Sequence, residues 1–86
     1  MLVKNLTSSN GKEVPNQFII ETDKGKYFQS YHSIIAFIPS KGRTQLNFRT
    51  WDYSTTTGKY RNIFLDETKK ETEKKIADGT YELANL

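Results

Sequence analysis

Catalysis needs a group that attacks or moves a proton, with a partner placed to activate it. The 86-residue chain has one histidine, His32, and no cysteine. Thiol nucleophiles, disulfides and thiolate metal sites are therefore excluded. No serine lies in a nucleophile-elbow context. Zincin, Walker-type and G-x-G-x-x-G spacings are absent. A lone histidine on a strand reads as a structural or surface residue. We therefore expect a non-enzymatic protein with no catalytic residue, no metal ligand and no cofactor.

Binding chemistry has more to work with. The stretch WDYSTTTGKYRN, residues 51–62, packs three rings, two basic residues and a run of threonines into twelve positions. Rings stack on bases, and Arg or Lys meets phosphate. Read as a strand, 43–53 places Arg49, Trp51 and Tyr53 on one face, with Lys59, Tyr60 and Arg61 following at the start of a helix. A hydroxyl-rich helix N-terminus also suits a phosphate. The segment KGKYFQSY adds Lys24, Lys26 and Tyr31 as an outer ring. A structural reading stands beside this one: Trp51 and Tyr53 as the surface on which the helix packs, and the charged residues as ordinary solvated groups.

The elements that must position these residues follow from period and turn chemistry. Val3–Thr7 reads as a first strand, and Asn10-Gly11 as a turn. Pro15 delays pairing, so the second strand is expected from about Asn16. A turn around Gly25 leads into KYFQSYHSIIAFI, read as one long strand with a bulge or bend near Ser30–Ser33. RTQLNFRTWDY is the fourth strand, with Leu46 and Phe48 sharing a face. Tyr60, Ile63 and Phe64 then recur at helical spacing, capped by the Ser54–Thr57 hydroxyls. Thr68 and Glu71 form a capping-box pattern for a second helix, with Glu71 and Lys75 as an i,i+4 pair, an inward stripe of Leu65, Thr72 and Ile76, and Gly79 past its end. TYELANL closes the chain as a strand. The expected fold is α+β: a small antiparallel sheet of about five strands, ordered β-β-β-β-α-α-β, with two short helices in one domain spanning 1–86.

Composition agrees with a thin core. The hydrophobic share is 35%, with aromatics at 13%, and each buried ring removes a large area from water. The net charge of +3 is unevenly spread. Residues 1–65 hold nine basic against four acidic groups, and residues 66–86 four against six. A basic body suits an anionic partner. The longest apolar run, IIAFI, is too short to span a bilayer, so no membrane partner is expected. MLVKNLTSSNG carries no apolar signal-peptide core, and the expected location is intracellular.

Three tracts, FQSYHSIIAFI, WDYSTTTGKYRNIFL and ETKKETEKKIADGTYELANL, resemble a family of small uncharacterised proteins encoded mainly by bacteriophages and other mobile elements. The shared pattern is S-Y-x-[ST]-x-I-A, here Ser30 to Ala36, then W-D-Y-S-x-T-T-x-K-Y-R-N-x-F-L, here Trp51 to Leu65. A charged helix and final strand follow, here Thr68 to Leu86. The resemblance implies a phage-related accessory protein in the cytoplasm of a bacterial host, with no activity to carry over. The expected function is a binding module whose basic-aromatic surface contacts nucleic acid or a nucleoprotein complex. The alternatives are an inhibitor or regulator of a host defence or replication protein, or a minor virion structural protein. Oligomeric state is left open.

Overall fold

A computed structural model describes all residues, 1–86. Five strands run as a meander: β1 (Leu2–Thr7), β2 (Glu13–Thr22), β3 (Gly25–Ser30), β4 (Ser33–Pro39) and β5 (Gln45–Asn47). Two helices follow, α1 (Thr55–Leu65) and α2 (Lys69–Ala77), and β6 (Glu82–Ala84) closes the sheet. The spatial order is β1-β2-β3-β4-β5-β6. The first four pairings are antiparallel, and β6 runs parallel to β5. A parallel pair needs a long crossover, and the loop after β5 together with both helices supplies it. The α+β class is as expected. The sheet is mixed rather than all antiparallel, and it has six strands.

The sixth strand comes from KYFQSYHSIIAFI. The expected bend near Ser30–Ser33 is a full chain reversal, with Ser30 opposite Ser33 and only Tyr31 and His32 between them. Tyr31 takes φ 55°, in the left-handed region. Its N–H donates to the Asn16 carbonyl at 2.7 Å, and Gln29 Nε2 donates to the Tyr31 carbonyl at 2.7 Å. A second irregularity lies just inside the hairpin. Phe28 pairs with Ala36 and Gln29 with Ile34, which leaves Ile35 as an extra residue. The bulge allows the consecutive residues Ile35 and Ala36 both to be buried, against the usual alternation.

β2 begins at Glu13, earlier than Pro15 suggests. Pro15 fits because β2 pairs with β3 only from Gln17 onward, and a break in the β1 register between Asn5 and Thr7 absorbs the extra residues. Asn16 lies in that break with φ 65°.

One face of the sheet carries the core: Leu6, Phe28, Ile35, Ala36 and Leu46. Trp51, Tyr60, Phe64, Leu65, Ile76 and Tyr81 pack onto it from the crossover. Phe28 and Phe64 stack at 5.6 Å between centroids, joining β3 to α1. The opposite face has no helix over it. There Tyr27 and Phe37 stack at 4.2 Å, and each is partly exposed.

Candidate functional site

The strand expected over 43–53 is β5, and it stops at Asn47, so Arg49, Trp51 and Tyr53 do not alternate along one strand face. Residues 48–53 form turns instead. The Asn47 carbonyl accepts from the N–H groups of Thr50 and Trp51, and its side-chain Oδ1 accepts from the Arg49 N–H. Thr50 Oγ1 donates to the Ile34 carbonyl at 2.8 Å and ties the loop to β4. Phe48 consequently turns outward, 50% exposed, while Leu46 is buried. Arg49 lies over the Phe48 ring at 5.3 Å.

α1 then begins as its capping chemistry dictates. Ser54 is the N-cap, in extended conformation, and its Oγ accepts from the Thr57 N–H at 3.0 Å. The Thr55 and Thr56 N–H groups have no helix carbonyl to reach. Thr57 is buried against β3, where its hydroxyl meets Ser30 Oγ at 3.0 Å.

Arg61 is the largest departure from the sequence reading. It was expected at the surface, yet it is 1% exposed. Its guanidinium sits over the Trp51 ring at 5.3 Å and donates to the Trp51 carbonyl at 2.6 Å. It also donates to Asn62 Oδ1 at 3.0 Å and Asp52 Oδ1 at 3.4 Å, while Nε has no partner. Gly58 leaves room beside it: a methyl there would stand 3.6 Å from the guanidinium, an ordinary contact. Arg61 therefore staples the 48–53 loop to α1 and holds Trp51 half-buried against the core. Tyr60 is also part of that packing.

A polar cleft opens beside the N-terminus of α1. Asp52, Tyr53, Ser54, Thr55, Gly58, Lys59, Arg61, Asn62 and Lys69 line it, and it holds about 570 Å³. Lys69, from the start of α2, reaches Asp52 Oδ2 at 2.9 Å. Burial works to raise the Asp52 carboxyl, but Lys69 and Arg61 outweigh it and hold it below the usual range. The cleft thus sets three cations against one carboxylate that is already engaged. Lys59 is exposed, with its ammonium 5.4 Å from the centre of the Tyr60 ring, and Tyr53 is 50% exposed.

Of the nine expected binding residues, the structure brings Tyr53, Lys59 and Arg61 to this cleft, Arg61 as a buried support. Arg49, Trp51 and Tyr60 are outside it. Lys24 precedes β3 and Tyr31 follows it, so they lie at opposite ends of a six-residue strand, roughly 20 Å apart. The Ser30–Thr57 contact puts the N-terminus of α1 at the Tyr31 end. Lys24 and Lys26 therefore belong to the far end and form no ring around the cleft. Sequence reasoning missed Asp52, Asn62 and Lys69. Asp52, between Trp51 and Tyr53, and Asn62, next to Arg61, both lie within residues 51–62; Lys69 depends on the reversal between the helices, where Asp66 takes φ 57°.

A second polar cluster locks α2. The Glu67 side chain is 3% exposed and accepts from Lys75 Nζ at 2.7 Å, Tyr81 OH at 2.7 Å and Thr72 Oγ1. Lys75 thus pairs with Glu67 and not with Glu71. Glu71 closes the capping box with Thr68, as expected. Burial pushes the Glu67 carboxyl up, but the bonds from Lys75, Thr72 and Tyr81 outweigh it and hold it below the usual range. Burial, with the bond to Glu67, pushes the Tyr81 phenol up to about 12.

Fold and cleft together define a small α+β protein with a cation-lined groove at one helix start. The chain belongs to a family of unknown function (DUF8033), whose model matches residues 1–79. No curated protein and no solved structure matches it. No helix is long and apolar enough to cross a membrane.

Proposed function

We propose that the protein is a non-enzymatic binding module of a phage or mobile element, acting in the cytoplasm of a bacterial host, and that its cleft contacts the phosphates of nucleic acid. The observation that carries this reading is the convergence of Lys59, Lys69 and the Ser54-capped start of α1 around one solvent-open groove. Unpaired N–H groups and the helix dipole favour an anion there. Tyr53 adds an exposed ring at the rim, suited to stacking on an unpaired base. Asp52 opposes an anion, and its engagement by Lys69 and Arg61 reduces that repulsion. Binding is expected to be sequence-tolerant, because phosphates carry no sequence information directly.

Fluorescence anisotropy with labelled single-stranded DNA and RNA tests it. Wild type binds at low salt, and affinity falls steeply as salt rises, since each neutralised phosphate releases counterions. Lys59→Ala weakens binding with the melting temperature unchanged. Absence of binding to any single- or double-stranded probe at low salt overturns the reading. A second reading, inhibition or regulation of a host or phage protein, is favoured by the uncovered sheet face around Tyr27 and Phe37. Pull-down from host lysate with and without nuclease separates the two.

A further inference from the structure

The two edges of the sheet differ in kind. β6 is three residues long, and its Glu82 is held by Arg43 at 2.8 Å and by Gln45 at 3.1 Å. β1 is six residues long and lies at the other end of the strand order. An edge strand presents a row of unpaired N–H and C=O groups, and proteins usually guard it with charge, proline or a bulge. β1 has no proline, and its register with β2 is regular from Leu2 to Asn5. Its single charge, Lys4, is already matched by Glu21 on the neighbouring strand at 3.6 Å. Leu2 and Val3 are 54% and 53% exposed, because no strand flanks them on the outer side.

From this the geometry points to a second copy of the chain as the occupant of that edge, paired antiparallel through β1 about Val3. Identical strands in antiparallel register are self-complementary, as a two-fold interface requires. Centred on Val3, the pairing sets Val3 against Val3 and Leu2 against Lys4 in both directions. No like charges stand directly opposite: the two Lys4 residues are diagonal neighbours, each matched by its own Glu21, whereas a register centred on Lys4 sets two lysines face to face, which destabilises a cross-strand pair. The Val3-centred ladder also ends at Asn5, just before the register break in β1. Across the joint, the uncovered face gains a continuous row, since Val3, Ile20, Tyr27 and Phe37 are successive cross-strand partners within one copy. The inference is independent of the cleft.

Such a contact is smaller than a standard interface, so self-association is measured by analytical ultracentrifugation at concentrations up to about 500 μM. Wild type forms a concentration-dependent dimer. Val3→Lys and Val3→Glu, each checked for fold by circular dichroism, weaken it by roughly ten-fold or more alone, by like-charge opposition at the two-fold. Mixed in equal amounts, they restore the dimer, because Lys then faces Glu. A wild type that stays monomeric throughout overturns the proposal. So does a dimer that survives either substitution, or a mixture that fails to associate more strongly than its parts.

Discussion

Arg61 carries the residue-scale lesson. A guanidinium with almost no exposure has left water, and it is stable there only through its bonds to the Trp51 carbonyl, Asp52 and Asn62. Arg61→Ala removes those bonds and leaves a void beneath Trp51, so it should cost about 3 kcal/mol or more of stability in urea unfolding. Lys59→Ala, on an exposed side chain, should stay within about 0.5 kcal/mol. Equal effects would mean that the loop is held by something other than Arg61. Glu67 gives a pH prediction. Its folded carboxyl lies below the ordinary 4.5, so the unfolded chain takes up the proton first. Its contribution is therefore complete above about pH 4.5 and is lost as pH falls through the lower folded value. Asp52, Glu71 and Asp78 are lowered too and share this acid limb. Glu67→Gln should thus be less stable at neutral pH yet show a shallower fall in melting temperature on acidification. Parallel acid limbs for variant and wild type would show that Glu67 does not contribute to the acid sensitivity.

At the scale of elements, two glycines in regular structure make opposite predictions. A methyl on Gly25 would press against the Ile38 carbonyl oxygen and lie 2.7 Å from Pro39 Cα, on a backbone with φ 147°. Both obstacles are main chain, so Gly25→Ala should destabilise by about 2–3 kcal/mol. Gly58 is helical with ordinary space around it, and Gly58→Ala should stabilise by about 0.5–1 kcal/mol. Thermal unfolding of the pair checks both signs. The same scale explains what was legible. Both helices are announced by local chemistry: the Ser54 cap with the Tyr60, Ile63 and Phe64 spacing, of which Ile63 turns out exposed, and the Thr68–Glu71 capping box. The β3–β4 hairpin is not announced, because Tyr31 occupies a left-handed position without glycine or asparagine to mark it. Tyr31→Asn should accordingly gain stability, by about 0.5–1 kcal/mol, and a loss would mean that the tyrosine ring holds the turn. From sequence the 48–53 loop reads as strand, because two of the bonds that fold it go to Ile34 and Arg61, which are distant in sequence. For the same reason Tyr53 and Lys59 were legible as site residues, whereas Lys69 and Asp52 were not.

For the whole molecule, charge and architecture divide the surface into distinct regions. The meander puts Tyr31, the 48–53 loop and the start of α1 at one end of the sheet, and Lys24 with the β2–β3 turn at the other. The basic surplus of residues 1–65 is therefore spread over the protein; at the cleft, Lys59 and Arg61 meet Lys69 from the acidic end of the chain. No residue of β1 or of the uncovered sheet face lines that groove, which leaves room for self-association and ligand binding together. We propose above that the cleft at the start of α1 receives a phosphate-bearing ligand. The most direct measurement is an amide-resolved NMR titration with a short single-stranded oligonucleotide at low salt. Shifts should concentrate at Tyr53, Thr55, Thr56, Lys59 and Lys69 and fade as salt is added. An unchanged spectrum, or shifts centred on Lys24 and Lys26, would contradict it.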